Sequence, residues 1–274
     1  MKNNKPIGIF DSGLGGLTVA AAVRKILPNE NIIYLGDTAR VPYGDKSPAT
    51  IKRYGCEDAV FLAEKNVKLI IVACNTVSSI AMDEIKKILK HKKISIPVMG
   101  VVEAGVSAVV QKGFNDIAVI GTRATINGKA YETALAEFIP EARIRSIACP
   151  LFAPIVEEGL ADHAIAGEAM QLYLDSLKQS LPDALLLGCT HYPLLIEPLK
   201  RFFDDKVKII DSAHAAAQFA KNFLEEHLMA NDSINTGNEI FFVTDSPDGF
   251  KQHAGNFLGR EINVINKVMV DLNT

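Results

Sequence analysis

The residues best suited to chemistry in this sequence are two cysteines, each at the end of an apolar run. Cys74 follows Ile70-Ile-Val-Ala73 and precedes Asn75-Thr76, and a helical period starts at Val77. Cys189 follows Ala184-Leu-Leu-Leu-Gly188 and precedes Thr190-His191. A thiol between a strand and a helix sits where the helix dipole and unpaired N–H groups stabilise a thiolate. Cysteine is otherwise a small buried hydrophobe. That reading suits Cys56, inside a helical pattern, and Cys149, which precedes Pro150 without polar neighbours. For Cys74 and Cys189 it would require the same coincidence twice. The four cysteines form no Cys-x-x-Cys pair, and free thiols in a reducing compartment are expected. Cys189 and His191 lack the second ligand pair of a zinc site, so no metal is expected.

A thiolate is a base that needs neither PLP nor metal, provided its pKa is lowered and the carbanion-like state is stabilised. Two such groups facing each other suit a reaction whose two directions are chemically equivalent. Inverting an amino acid is one: a proton leaves one face of the α-carbon and another arrives on the opposite face. Lysines are numerous, but none sits in a strand-end motif of this kind, so no cofactor is expected. The glycine-rich segment Asp11-Ser-Gly-Leu-Gly-Gly16 is not a P-loop, because no Gly-Lys-Ser/Thr follows, and it does not fit Gly-x-Gly-x-x-Gly. A turn and helix start whose amides and Ser12 hydroxyl hold a carboxylate explain it equally well.

The elements that must position these groups alternate along the chain. Short apolar runs at 6–10, 31–35, 68–73, 96–100, 116–120, 184–187, 207–210, 239–243 and 262–265 are separated by amphipathic stretches, which predicts an α/β architecture with parallel sheets. Their Ile, Val and Leu content without alternation predicts strands buried on both faces. Val77, Ile80, Ala81, Ile85 and Ile88 recur at helical spacing, as do Ala166, Met170, Tyr173, Leu177 and Leu181. The chain also resembles itself. A strand ending in Asp11-Ser12 precedes the one ending in Cys74 by about sixty residues, and a strand ending in Gly121-Thr122 precedes the one ending in Cys189. Two related lobes are predicted, with both cysteines at the carboxyl edges of central strands, where open α/β sheets bind ligands.

Composition narrows the function classes. The 274 residues are 48% hydrophobic and 22% charged, enough for a sizeable core. A net charge of −3 leaves no basic surplus for nucleic acid or an anionic membrane. The run 86–93 reads as a charged helix end, and His214, His227 and His253 as solvated residues on polar helical stretches. No apolar run approaches the ~18 residues of a membrane span. Residues 1–6 carry lysines without a following apolar region, so no standard signal peptide is expected and the chain reads as cytoplasmic.

Five motifs then occur in order: Phe10-Asp-Ser-Gly-Leu-Gly-Gly-Leu17, Asp37-Thr-Ala-Arg-Val-Pro-Tyr-Gly44, Ala73-Cys-Asn-Thr76, Gly121-Thr-Arg-Ala-Thr125 and Gly188-Cys-Thr-His-Tyr-Pro193. Together with Phe257-Leu258-Gly259 this pattern resembles the glutamate racemases, cofactor-independent isomerases that make D-glutamate for bacterial peptidoglycan. The resemblance implies two pseudosymmetric lobes, each a mostly parallel sheet flanked by helices, with the active site in the cleft between them. Residues 1–97 with 210–274 would form the first lobe and 98–209 the second. It implies that Cys74 and Cys189 exchange the α-proton, that Asp11 assists Cys74, and that His191 and Glu157 assist Cys189. Asp11, Ser12, Tyr43, Gly44, Asn75, Thr76, Thr122, Thr190 and His191 would contact the amino acid, with Thr125 a lesser candidate. Each has a plainer reading: Asp11 as a helix cap, His191 as a turn residue before Pro193, Tyr43-Gly44 as a turn after Pro42. Gly128 stands where the family commonly has Ser, and 244–247 is an unusual version of a C-terminal turn. The implied partner is a small molecule, glutamate, with no cofactor, and the oligomeric state, a homodimer included, stays open. An aspartate racemase of the same superfamily and a two-lobed binding protein with inert cysteines are the competing readings.

Overall fold

The computed structural model describes residues 4–271. Residues 1–3, part of the segment read above for a signal peptide, lie outside them. The described residues form ten strands: β1 (Ile7–Asp11), β2 (Ile32–Gly36), β3 (Leu69–Val72), β4 (Val98–Gly100), β5 (Asp116–Gly121), β6 (Arg143–Ala148), β7 (Ala184–Gly188), β8 (Lys208–Asp211), β9 (Glu239–Val243) and β10 (Ile265–Lys267). One sheet has the order β10-β9-β2-β1-β3-β4 and the other β6-β5-β7-β8, and every neighbouring pair is parallel. The internal resemblance is thus a repeat of topology: β2-β1-β3-β4 in one lobe corresponds to β6-β5-β7-β8 in the other. β9 and β10 extend the first sheet alone.

The central strands are apolar on both faces because both faces are covered. β1, β3 and β7 are buried throughout. β6, which has no apolar run to announce it, is an edge strand whose arginines, Arg143 and Arg145, reach Asp116 on β5. The last run, expected at 262–265, pairs only from Ile265 onward, although Ile262 is buried. The helical pattern from Val77 is broken at Ala81 into helices Asn75–Ile80 and Met82–His91. β4 pairs with β3 in the first sheet and β8 with β7 in the second. The sheets therefore change over after Gly100 and after Asp211, a few residues later than boundaries at 97/98 and 209/210 place them.

One apolar layer runs through both lobes. Its spine is the helix Ser212–Glu226, whose Ala213, Ala216, Ala217 and Ala220 are buried against the helices Leu17–Ile26 and Val101–Lys112. Small side chains on that face let the helices approach closely. The outer face of each sheet has its own core, and the carboxyl ends of both sheets are left to meet at the cleft.

Candidate active site

Cys74 lies two residues beyond β3, at the start of the helix Asn75–Ile80. The Val77 N–H and the Ser12 hydroxyl both favour its thiolate, as the strand-to-helix position predicts. Burial and the neighbouring Asp11 carboxylate outweigh them, and the thiol is pushed up to about 12. Asp11 ends β1 and is fully buried. Its Oδ2 accepts the Gly13 N–H at 3.0 Å, and its Oδ1 faces the Thr190 hydroxyl at 3.5 Å. Burial raises its pKa, against the lowering charge of His191 across the cleft. Asp11 does hold the turn ahead of the helix Leu17–Ile26, but it does so while pointing at the second lobe.

Cys189 follows β7 directly. The element after it is a short 3₁₀ turn, Tyr192–Leu195, rather than an α-helix. Its support is instead a side chain: His191 Nδ1 is 3.7 Å from Cys189 Sγ, and His191 Nε2 is 2.7 Å from Glu157 Oε1. Burial alone would depress the imidazolium, but Cys189 and Glu157 overcome it and hold His191 up to about 10. Glu157, at the end of the helix Phe152–Glu157, is lowered by its hydrogen bond to His191. The two thiols therefore have unlike surroundings: a buried carboxylate and a hydroxyl on one side, an imidazole–carboxylate pair on the other.

Hydroxyls from both lobes line the space between. Thr76 Oγ1 lies 3.0 Å from Thr122 Oγ1 and 3.2 Å from Thr125 Oγ1, and Thr122 caps the helix Arg123–Asn127. Thr125 thus belongs to this cluster. Asn75 Oδ1 accepts the Tyr131 hydroxyl at 2.6 Å, which leaves Asn75 Nδ2 buried with no hydrogen-bond partner among the described residues. An unpaired buried amide is expensive to keep, which singles Asn75 out among the residues of this cluster. Tyr131→Phe should free the Asn75 amide to rotate. The expected result is a rise in KM of roughly fivefold to tenfold with a smaller change in kcat, read from initial rates at varied substrate.

Tyr43 has its side chain engaged within its own lobe, which leaves its backbone and that of Gly44 as the groups it can offer to the cleft. Its hydroxyl donates to Asp37 and lies 3.2 Å from Asp58, in a buried cluster where the Arg40 guanidinium pairs with Asp37, Glu57 and Asp58. Burial, with Asp37 adding to it, pushes the Asp58 carboxyl well up, and Arg40 opposes that. Thr244, from the unusual 244–247 turn, donates its hydroxyl to Asp37 at 2.8 Å. The part of this segment that meets the second lobe is Gly44, where an added Cβ would lie 3.1 Å from Thr122 Cβ. Tyr43 anchors that backbone.

The lobes are closed on one another. Thr18 Oγ1 donates to the Thr190 carbonyl at 2.9 Å, and Cys74 and Cys189 are each only 5% exposed. Tyr131 and Thr18 carry no chemical signature in the sequence, because each acts on a residue far away along the chain. His214 and His227 are exposed as expected, whereas His253 is half-buried and its charge acts on Glu157.

Two thiols at equivalent strand ends of a duplicated α/β lobe define a class of protein. The model of the Asp/Glu/hydantoin racemase family matches residues 17–220. The chain belongs to that family and is an isomerase of the amino-acid racemase class. Within it, a glutamate racemase of Geobacter metallireducens is 42% identical, with 97% of each chain covered. The glutamate racemase of Francisella tularensis subsp. tularensis, solved in complex with D-glutamate, matches with a TM-score of 0.90 and 40% identity over 97% of this chain and 98% of that one. That of Escherichia coli, solved with L-glutamate and the activator UDP-MurNAc-ala, matches with a TM-score of 0.74 and 26% identity over 97% and 99%. The two-sheet architecture is the fold of these racemases. Among the described residues, no helix is long and apolar enough to cross a membrane.

Proposed function

We propose that this chain interconverts L- and D-glutamate by a two-base mechanism in which Cys74 and Cys189 act on opposite faces of the α-carbon. The observation that carries it is the pairing of like with like: two thiols at corresponding strand ends, each with its own polar assistant, facing one cleft. One thiolate takes the α-proton, so a Cα–H bond breaks and an S–H bond forms. The opposite thiol delivers its proton to the other face. His191 keeps a positive charge beside Cys189 at neutral pH and is placed to stabilise a thiolate there. Cys74, whose thiol is held near 12 by burial and Asp11, is the acid of this form of the enzyme. A substrate ammonium beside Asp11 supplies the positive charge that Cys74 lacks for the reverse direction. Asn75 Nδ2 and the Ser12, Thr76, Thr122 and Thr190 hydroxyls orient the carboxylates. Because the cleft is closed, glutamate enters when the lobes part, and closure then excludes water from the carbanion-like state.

The near-full-length similarity to glutamate racemases selects glutamate over aspartate as substrate. In this reading the product supplies D-glutamate to cell-wall peptide synthesis in the cytoplasm, with effects on cell shape, and neither PLP nor a metal takes part. The test is circular dichroism of purified protein with L-glutamate, D-glutamate or L-aspartate, without added cofactor and after chelation. Loss of optical activity from both glutamate enantiomers supports the reading. Preferential turnover of aspartate would assign the chain to the neighbouring activity, and binding without turnover would make it a binding protein. Activity lost on chelation and restored by a metal would overturn the cofactor-free step.

Glu157 gives the pH dependence its sign. It helps hold His191 up to about 10, so the imidazolium is present through neutrality and lost as pH rises through that value. Glu157→Gln removes a negative charge from Nε2 and should move the alkaline limb of kcat/KM to lower pH. The profile of the variant beside the parent chain measures it, and an unmoved limb would remove Glu157 from the pair.

A further inference from the structure

We infer that Phe257 is a positioning residue for the Cys189–His191 pair, so that the C-terminal helix of the first lobe sets the imidazole of the second lobe as the cleft closes. The inference rests on the racemase reading above. His191 assists Cys189 only with Nδ1 toward the sulfur and Nε2 toward Glu157; a half-turn of the ring would present carbon to both. Two first-lobe surfaces bear on that ring. Phe257 meets it edge to face, with centroids 5.4 Å apart and planes at 87°. Gly15 approaches from the glycine-rich turn so closely that an added Cβ would lie 2.5 Å from His191 Nδ1 and 2.6 Å from Cε1. Phe257 is itself buried on the helix Pro247–Leu258, which is fixed to the first lobe through Phe250 against Tyr34. Neither surface belongs to the lobe that carries Cys189 and Glu157. The His191 ring is thus held from its own lobe by Glu157 and from the first lobe by Phe257 and Gly15, and parting the lobes removes the second set of contacts.

The test compares Phe257→Leu, Phe257→Tyr and, as a control on the same helix, Phe250→Leu. Loss of the aromatic edge should lower kcat/KM by about three- to tenfold, equally in both directions because the equilibrium constant between mirror images is unity. The distinguishing readout is the primary isotope effect with α-deuterated L- and D-glutamate. In Phe257→Leu it should rise only in the direction in which Cys189 takes the proton, the same direction that His191→Asn affects. Phe257→Tyr, which keeps the ring, should restore the parent values, and Phe250→Leu should lower stability without the asymmetry. Should Phe257→Leu not fold, Phe257→Met is read in the same way. Isotope effects that stay symmetric in the Phe257 variants, or an equal asymmetry in Phe250→Leu, would overturn the positioning role while leaving the racemase reading intact. A parent chain that does not racemise glutamate would overturn both.

Discussion

Cys74→Ala and Cys189→Ala are each expected to abolish racemisation, by on the order of 10³-fold or more, while the protein stays folded. General acid–base groups typically contribute about 10²- to 10⁴-fold, and in the proposed mechanism each thiol is both the base of one direction and the acid of the other. Neither can substitute for its partner, because each serves one face of the α-carbon and every turnover uses both. Removing one sulfur from the lining of the cleft leaves the strands and helices behind it in place, so the melting temperature should fall by only a few degrees. Initial rates in both directions, with thermal unfolding alongside, check the pair of variants. Retained glutamate binding in the inactive variants would separate lost chemistry from lost structure. Near-parental turnover in either variant would remove that cysteine from the mechanism.

Gly15→Ala is expected to be nearly as damaging although it alters no reacting group. An added Cβ would lie 2.2 Å from Thr190 Oγ1 and 2.5 Å from His191 Nδ1, well inside any contact that real atoms make. Turning those side chains away would cost the contacts they make, because the Thr190 hydroxyl faces Asp11 and the His191 ring is held by Glu157. The lobes must therefore stay further apart. A displacement of about 1 Å at a reacting centre can lower the rate by about 10²-fold. The expected result is a loss of that order in kcat with a folded protein. Near-parental kcat would mean that the closed contact at Gly15 is not part of turnover. The glycine-rich turn is legible in the sequence as a tight turn before a helix, and the Gly13 N–H closes it onto the chain's own Asp11 carboxylate. That Gly15 is small because the other lobe rests on it is not legible, since its neighbours lie far along the chain.

The same division runs through the rest of the molecule. Central strands announce themselves by unbroken apolar runs, and the repeated strand-end pattern foretells that β1 and β3 correspond to β5 and β7. Edge strand β6 is silent because its arginines face solvent and Asp116 instead of a core. Cys74 and Cys189 stand out by residue type and place, but their electrostatics do not follow from place alone. The helix start at Cys74 predicts a stabilised thiolate, whereas burial and Asp11 reverse the balance. Tyr43 sits in a motif that implies substrate contact, while its hydroxyl is held by Asp37 and Asp58, a pairing that no local pattern encodes. Tyr131, which fixes Asn75, is an ordinary aromatic in a helical stretch until the lobes are brought together.

The central claim is that two separate thiols serve two separate faces, and isotopic tracing in deuterated water tests it most directly. Before each turnover the donating thiol has exchanged with solvent, so it carries deuterium. With L-glutamate as substrate, D-glutamate formed early should then bear deuterium at the α-carbon, while unreacted L-glutamate stays largely protiated. The same should hold with the enantiomers reversed, read by proton NMR of the separated enantiomers at low conversion. A single base serving both faces would carry protium into the product and wash deuterium into the recovered substrate, and that pattern would contradict the account.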